Sequence, residues 1–290
     1  MNTHNSIFEE IASVERLFEA WFEFRKGKTK RKDVQDFGRH VERNIFRLHR
    51  DLVGGTYRHS DYASFFIQDP KVRHIRKACV RDRVVHQALS PVLTRIFEPR
   101  FIHDLYSSRP GKGTHAGVNV LSRMTRKVSK NITRPCWALK CDIRKFYDTV
   151  DHAVLCDIIV KTISDESAMW LIREVIESFH TEGTPGKGLP IGNLSSQVFT
   201  NIYLNELDQF VRHALRVKHY VRFYDDFVLL SEGKQRLEET LHAIRHFVQE
   251  NLRIELHPKK VQIRPLSQGI DFLGYVILPN HRVLRTSTKR

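Results

Sequence analysis

Apolar positions along the chain recur at two periods, and the switches between them mark out its elements. From Ile7 to Phe24 they fall every three or four residues and predict a helix, and from Asp33 to Leu52 the same period returns before Gly54-Gly55. "YASFFIQDPKVRHIRKACV" (62–80) alternates and is rich in β-branched residues, which predicts a hairpin, and "RDRVVHQALSPVLTRIFEPRF" (81–101) reverts to helix. A Gly/Pro/basic loop, "SSRPGKG", leads into a helix at about His115. Beyond it, "CWALKCDIRKFYD" reads as a strand entering a turn and "HAVLCDIIVKTI" as a helix. The long loop "TEGTPGKGLPIGN" feeds the helix "SSQVFTNIYLNELDQFVRHAL". Two strands flank Asp225 and Asp226, and a helix follows from about Gly233 to Asn251 with Leu237, Leu241, Ile244 and Val248 on one face. Short strands "LRIEL" and "KVQI" precede "GIDFLGYVIL". This order predicts an α+β fold: an antiparallel sheet with helices on one face, in a split βαβ layout.

Charge narrows the class of partner. The 290 residues carry 48 Lys+Arg against 33 Asp+Glu, a net charge of +15, which favours a polyanion such as nucleic acid. The four cysteines, Cys79, Cys136, Cys141 and Cys156, have neither zinc spacing nor a disulfide framework. The N-terminus lacks the basic start and unbroken apolar core of a signal peptide, and no apolar run reaches 18 residues. The expectation is a soluble cytoplasmic protein with no membrane association.

One stretch resists this simple patterning. In "VRFYDDFVLL" (221–230) two adjacent aspartates interrupt strand-forming sequence. Alone, "YDDF" reads as a hairpin tip facing water. The strand "WALKCD" ends in a third aspartate, Asp142, and an antiparallel neighbour can bring the hairpin beside it. Three carboxylates held that close repel unless cations neutralise them. Oxygen-only ligands select Mg²⁺, or Mn²⁺, over zinc, and two such ions form the site of phosphoryl-transfer enzymes.

Five segments in order, "CDIRKFYD", "GLPIGNLSSQ", "FYDDF", "HPKK" and "FLGY", resemble the successive motifs of reverse transcriptases, and "PKVRHI" and "RPGKGTHAGV" resemble that family's finger blocks. The resemblance runs from about Val53 to Leu284. It implies a right-hand polymerase with fingers and palm: an N-terminal helical extension over 1–52, fingers over 53–135, palm over 136–278 with interleaving near 181–192, and the start of a largely absent thumb over 279–290. The block Ile191-Gly192-Asn193-Leu194-Ser195-Ser196-Gln197 has Ile and Gln where most of the family has Gln and Pro. This is similar to the reverse transcriptases of diversity-generating retroelements, which copy a template RNA with errors at adenines. An aliphatic Ile191 lacks the hydrogen bonds a Gln offers, so discrimination of the nascent pair loosens; the alternative is that Ile191 only packs its loop.

The resemblance also distributes roles. Asp142, Asp225 and Asp226, with the carbonyl of Ile143, are expected to hold two Mg²⁺, and Lys259 or Lys260 to protonate the leaving pyrophosphate. Lys71, Arg73, Tyr147, Ile191 and Gly192 are expected around the incoming dNTP, with Tyr147 excluding a 2′-hydroxyl; as an ordinary aromatic it is a core residue, a place its neighbour Phe146 also fits. Arg109, Lys112, His115, Gln197, Phe272, Leu273, Gly274 and Tyr275 are expected along the template RNA and the primer or cDNA. A small basic barrel-forming accessory protein is the implied partner. Two alternatives stand beside this reading: another bacterial reverse transcriptase, of the antiphage, retron or group II intron type, and a catalytically silent RNA-binding module.

Overall fold

The computed structural model describes residues 7–68 and 72–288. Helices α1 (Ile7–Ala12), α2 (Val14–Arg25), α3 (Lys32–Gly38) and α4 (Val41–Val53) open the chain. The two long helices expected here are therefore each broken once. At the first break Ser13 turns out of the helix and caps α2, its Oγ accepting from the Arg16 amide at 3.2 Å. The expected hairpin follows as β1 (Ala63–Gln68) and β2 (Val72–Lys77), then come α5 (Val80–Phe97), α6 (Thr114–Val128), β3 (Trp137–Asp142) and the single turn α7 (Phe146–Thr149). Next are α8 (His152–Val160), α9 (Glu166–Glu177) and α10 (Leu194–Gln209), then β4 (Tyr220–Phe223), β5 (Asp226–Ser231) and α11 (Lys234–Leu252). Strands β6 (Gln262–Pro265), β7 (Ile270–Phe272), β8 (Tyr275–Ile277) and β9 (Arg282–Leu284) close the chain. "LRIEL" is not a strand; its alternation serves a single bridge, from Leu256 to Ile143.

The chain divides into two compact units, Met1–Pro99 with Val150–Ile202 and Arg100–Thr149 with Tyr203–Arg290. In the first, α2 lies against α5 and buries Leu17, Ala20 and Trp21. The β1–β2 ribbon stands out from this helical body: every residue of β1 is exposed, and Phe66 stacks on His74 with ring centroids 4.3 Å apart.

The second unit is built on an antiparallel sheet in the order β4-β5-β3-β6. Strand alternation puts Leu139 and Cys141 of β3, with Phe227 and Leu229 of β5, on one face, all fully buried, and α11 packs against these strands. Ala138, Lys140 and Asp142 share the opposite face with Asp226, Val228 and Leu230. The far end of that face is covered by α6, through Leu121 and Met124, and by the β7-β8-β9 sheet, through Ile270, Phe272 and Ile277. Each large apolar side chain so buried contributes roughly 1.5–3 kcal/mol. The near end is left to the aspartates.

Candidate active site

Register decides which carboxylates meet. Asp142 is the last residue of β3 and Asp226 the first of β5, and the two are direct partners in the ladder. Asp225 sits in the tight turn between β4 and β5, where the preceding Tyr224 takes a left-handed backbone, φ 52°. The three side chains are close enough for their charges to act on one another. Burial pushes the Asp226 carboxyl up to about 7, with the Asp142 and Asp225 charges adding to it against Lys140. Burial likewise pushes Asp225 up to about 6, and Asp142 adds to it.

Two lysines supply the compensating charge. Lys260 Nζ donates to Asp142 Oδ1 at 2.8 Å, and Lys140 Nζ lies 3.5 Å from Asp226 Oδ2 and 4.0 Å from Asp271 Oδ1. Asp226 Oδ1 is buried with no hydrogen-bond partner among the described residues. No three ligating side chains among those residues converge into a ready metal cage. A hard divalent cation nevertheless fits this donor set: the oxygens are carboxylate only, and one is desolvated and idle, at a cost of about 1–3 kcal/mol until something fills its coordination. Ile143 is buried and bridged to Leu256, and the His257 amide donates to the Asp142 carbonyl at 2.8 Å, so the strand end beneath the site is pinned.

Behind the turn lies a support that no motif announced. Arg222 of β4 is completely buried; its Nε and Nη2 donate to the two carboxylate oxygens of Asp208 at 2.7 and 2.5 Å, and Tyr220 donates to Asp208 at 2.7 Å. The remaining Nη1 donates to the carbonyl of Tyr224 at 3.0 Å, and the Tyr224 amide donates to Ser107 Oγ at 3.0 Å. The left-handed residue next to Asp225 is thus held at both its amide and its carbonyl. The available signals were an arginine inside a strand otherwise apolar and a lysine, Lys140, inside another.

The other expected residues separate by unit. In the second, Phe146 is the core aromatic, edge-on to Tyr203 at 6.1 Å, and Tyr147 is half-buried beside it. Lys259 and Lys260 are both exposed, and it is Lys260 that pairs with Asp142. Arg109 Nη1 donates to the carbonyls of Ile102 and Leu105 at 2.7 and 3.2 Å, and Lys112 Nζ donates to that of His103 at 2.8 Å, so both tie down their own loop. "FLGY" forms the β7–β8 turn through Leu273 and Gly274, φ 52° and 83°. Phe272 is buried, and Tyr275 contacts the exposed His115, Oη to Nδ1 at 3.3 Å.

In the first unit Lys71 lies outside the described residues, and Arg73 of β2 is exposed. The Ile191-Gly192-Asn193 segment lies along β2: the Arg76 amide donates to the Ile191 carbonyl at 3.0 Å, and Asn193 Nδ2 donates to the Arg76 carbonyl at 2.9 Å. Gly192 has φ 104°, and a Cβ there would lie 2.9 Å from Ile75 Cγ2. Gly192, Asn193 and Gln197 line a cavity of about 400 Å³ together with Phe24, Lys28 and Arg83.

The antiparallel palm-like sheet, with its strand-end and hairpin carboxylates, belongs to a nucleotidyl-transfer fold, and comparison with known proteins gives the family. Residues 67–277 match the family model of the reverse transcriptase (RNA-dependent DNA polymerase), and the chain belongs to that family. It is 25% identical over 287 residues to protein YkfC of Escherichia coli, covering 86% of this chain and 73% of that protein. It is 23% identical over 316 residues to the group II intron-encoded protein LtrA of Lactococcus lactis, covering 85% of this chain and 51% of LtrA. Among solved structures it resembles apo telomerase from Candida tropicalis truncated from its C-terminal domain, with a TM-score of 0.59 at 12% identity over 84% of this chain and 60% of that one. The chain thus spans about half of LtrA and carries a reverse transcriptase fold of helices and antiparallel sheets. No helix among the described residues is long and apolar enough to cross a membrane.

Proposed function

We propose that the chain is an RNA-directed DNA polymerase that extends a primer with dNTPs along a template RNA. The observation that carries this is the pairing of Asp142 with Asp226 in register, Asp225 in the adjoining turn and the idle Oδ1 of Asp226. Asp142, Asp225, Asp226 and the Ile143 carbonyl would hold Mg²⁺, or Mn²⁺. When bound, these ions supply the positive charge that acidifies the primer hydroxyl and balances the triphosphate. Lys260, now an ion-pair partner of Asp142, holds a proton for the leaving pyrophosphate. Tyr147 excludes the 2′-hydroxyl, Lys71 and Arg73 clamp the triphosphate, and Ile191 and Gly192 face the nascent pair. Arg109, Lys112, His115, Gln197 and the Phe272–Tyr275 turn line the path of the strands.

The reading extends to a diversity-generating enzyme that misincorporates at template adenines and works with a small basic accessory barrel. Its support is the Ile191 to Gln197 block. Similarity to LtrA supports a second reading, a group II intron type of reverse transcriptase.

Primer extension on a defined RNA template with Mg²⁺, followed by cDNA sequencing, tests both. Asp225→Ala is expected to abolish synthesis, and Lys260→Ala to lower kcat by about 10²–10³-fold with Lys259→Ala near wild type. Synthesis that survives Asp225→Ala overturns the polymerase site. Errors concentrated at template adenines support the diversity-generating type; accurate copying turns the assignment to the second reading.

A further inference from the structure

The β1–β2 ribbon is a two-stranded sheet of its own, and β1 is exposed along its whole length. Such a ribbon is marginally stable in water, so what fixes its direction lies at its root. Both legs meet there at one side chain. Asp82, in the first turn of α5, is completely buried, and its carboxylate reaches beyond its own helix. The leg entering β1 donates to it twice, from the Tyr57 hydroxyl to Oδ1 and from the Ser60 amide to Oδ2, both at 2.9 Å. The leg leaving β2 donates the Cys79 thiol to Oδ2 at 3.1 Å. An acid at this helical position ordinarily serves its own helix, through the first-turn amides and the dipole. Here one oxygen draws Ser60 and Cys79, from opposite ends of the ribbon, to the same point.

A second chain of bonds starts from the same root, and its direction is fixed. A carbonyl only accepts, so His59 Nδ1 carries a proton and donates it to the Ser60 carbonyl at 2.6 Å. Burial lowers His59 below its ordinary value and lowers His86 to about 3, so both rings are neutral at pH 7. His59 Nε2 is therefore bare and accepts from His86 Nε2 at 3.1 Å. His86 Nδ1 is then bare in turn and accepts from the Ser195 hydroxyl at 3.2 Å. Ser195 belongs to the first turn of α10, within the Ile191 to Gln197 block. The root of the ribbon is thus joined to α5 by Asp82 and to α10 by two histidines, all within the first unit.

We propose that Asp82 is the positioning residue of the β1–β2 ribbon: it holds both legs at the root and so sets where Arg73 stands. The second half rests on the dNTP role proposed for Arg73; the first half does not.

The test has two readouts on the full chain. The first is amide hydrogen exchange, without RNA, dNTP or metal, in Asp82→Ala, Asp82→Asn and Leu48→Ala, a core truncation on α4 that leaves the network intact. Asp82→Ala is expected to speed exchange in β1 and β2 by about tenfold, the weight of one buried hydrogen bond, with α2 and α9 as in wild type. Asp82→Asn keeps an acceptor for the Ser60 amide and should recover most of the protection. Cys79→Ala, which frees one leg, should speed the ribbon by about threefold and gives an independent reading should Asp82→Ala fail to fold. The second readout is primer extension. Asp82→Ala is expected to raise KM for dNTP about threefold with kcat within about twofold of wild type, and to add little to KM in an Arg73→Ala background. Equal acceleration of the ribbon in Leu48→Ala would make Asp82 an ordinary core residue and overturn the proposal. So would an unmoved KM, or the same rise in KM with and without Arg73. A wild type that makes no DNA fails the polymerase reading instead, and the exchange rates alone then decide whether Asp82 holds the ribbon.

Discussion

Arg222 has no access to solvent, and its guanidinium donates to Asp208 and to the Tyr224 carbonyl in the turn that carries Asp225. Arg222→Ala leaves an unpaired buried carboxylate and is expected to cost about 3–5 kcal/mol in chemical denaturation. The double replacement Arg222→Met/Asp208→Leu is expected to recover most of that stability, because well-packed apolar pairs replace buried ion pairs at little cost. It does not restore the bond to the Tyr224 carbonyl, so its kcat should stay depressed at normal RNA affinity. A double variant with full kcat would show that the pair supports the core and not the turn. The three aspartates were legible because each sits in a motif whose residues are adjacent in sequence. Asp208 and Arg222 were not, because their partnership depends on how α10 packs against β4, and a charged residue in an apolar strand does not say where its partner is.

The segment along β2 depends on a backbone that only glycine takes easily. Gly192 combines φ 104° with a Cβ direction that ends 2.9 Å from Ile75. Gly192→Ala is expected to destabilise the chain by about 1–3 kcal/mol and to raise KM for dNTP more than it lowers kcat; unchanged melting and KM would remove the segment from the dNTP site. The sequence was readable at this scale wherever one period ran long enough: α5, α6, α10, α11 and the hairpins fall where apolar spacing puts them. Breaks were harder. Ser13 reads as one polar residue in a continuous helix until its side chain is seen capping Arg16, and "LRIEL" alternates without finding a strand to pair with. The helix α9 had its signal in Ala168, Leu171, Ile172 and Val175 and a capping Asp165, but no motif drew attention to it.

For the molecule as a whole, the buried carboxylates set a pH dependence of stability. Unfolded, Asp225 and Asp226 lose their protons near 3.8; folded, they keep them to about 6 and about 7. Folding then binds protons in this window, so their contribution is full below about 3.8 and is lost as pH rises through 6 to 7. His86 acts in the opposite sense, since burial lowers it to about 3 and its contribution is lost as pH falls below 6.5. Subtracting melting curves of Asp226→Asn from wild type cancels the His86 effect. The variant is expected to melt higher than metal-free wild type at pH 8, the gap narrowing below pH 7 and closing only near pH 3.8, at about 2–4 °C per kcal/mol. Added Mg²⁺ should raise the wild-type melting temperature at pH 8 and leave the variant nearly unmoved. A variant that tracks wild type at every pH would contradict the burial of Asp226.

The unsatisfied oxygen of Asp226 also bears on how the protein responds to engineering. A library ranked by heat resistance in a chelating buffer rewards any change that removes this oxygen, so the first winners are expected to be inactive enzymes. Screening with magnesium present reverses that incentive, and the same position becomes one that selection protects.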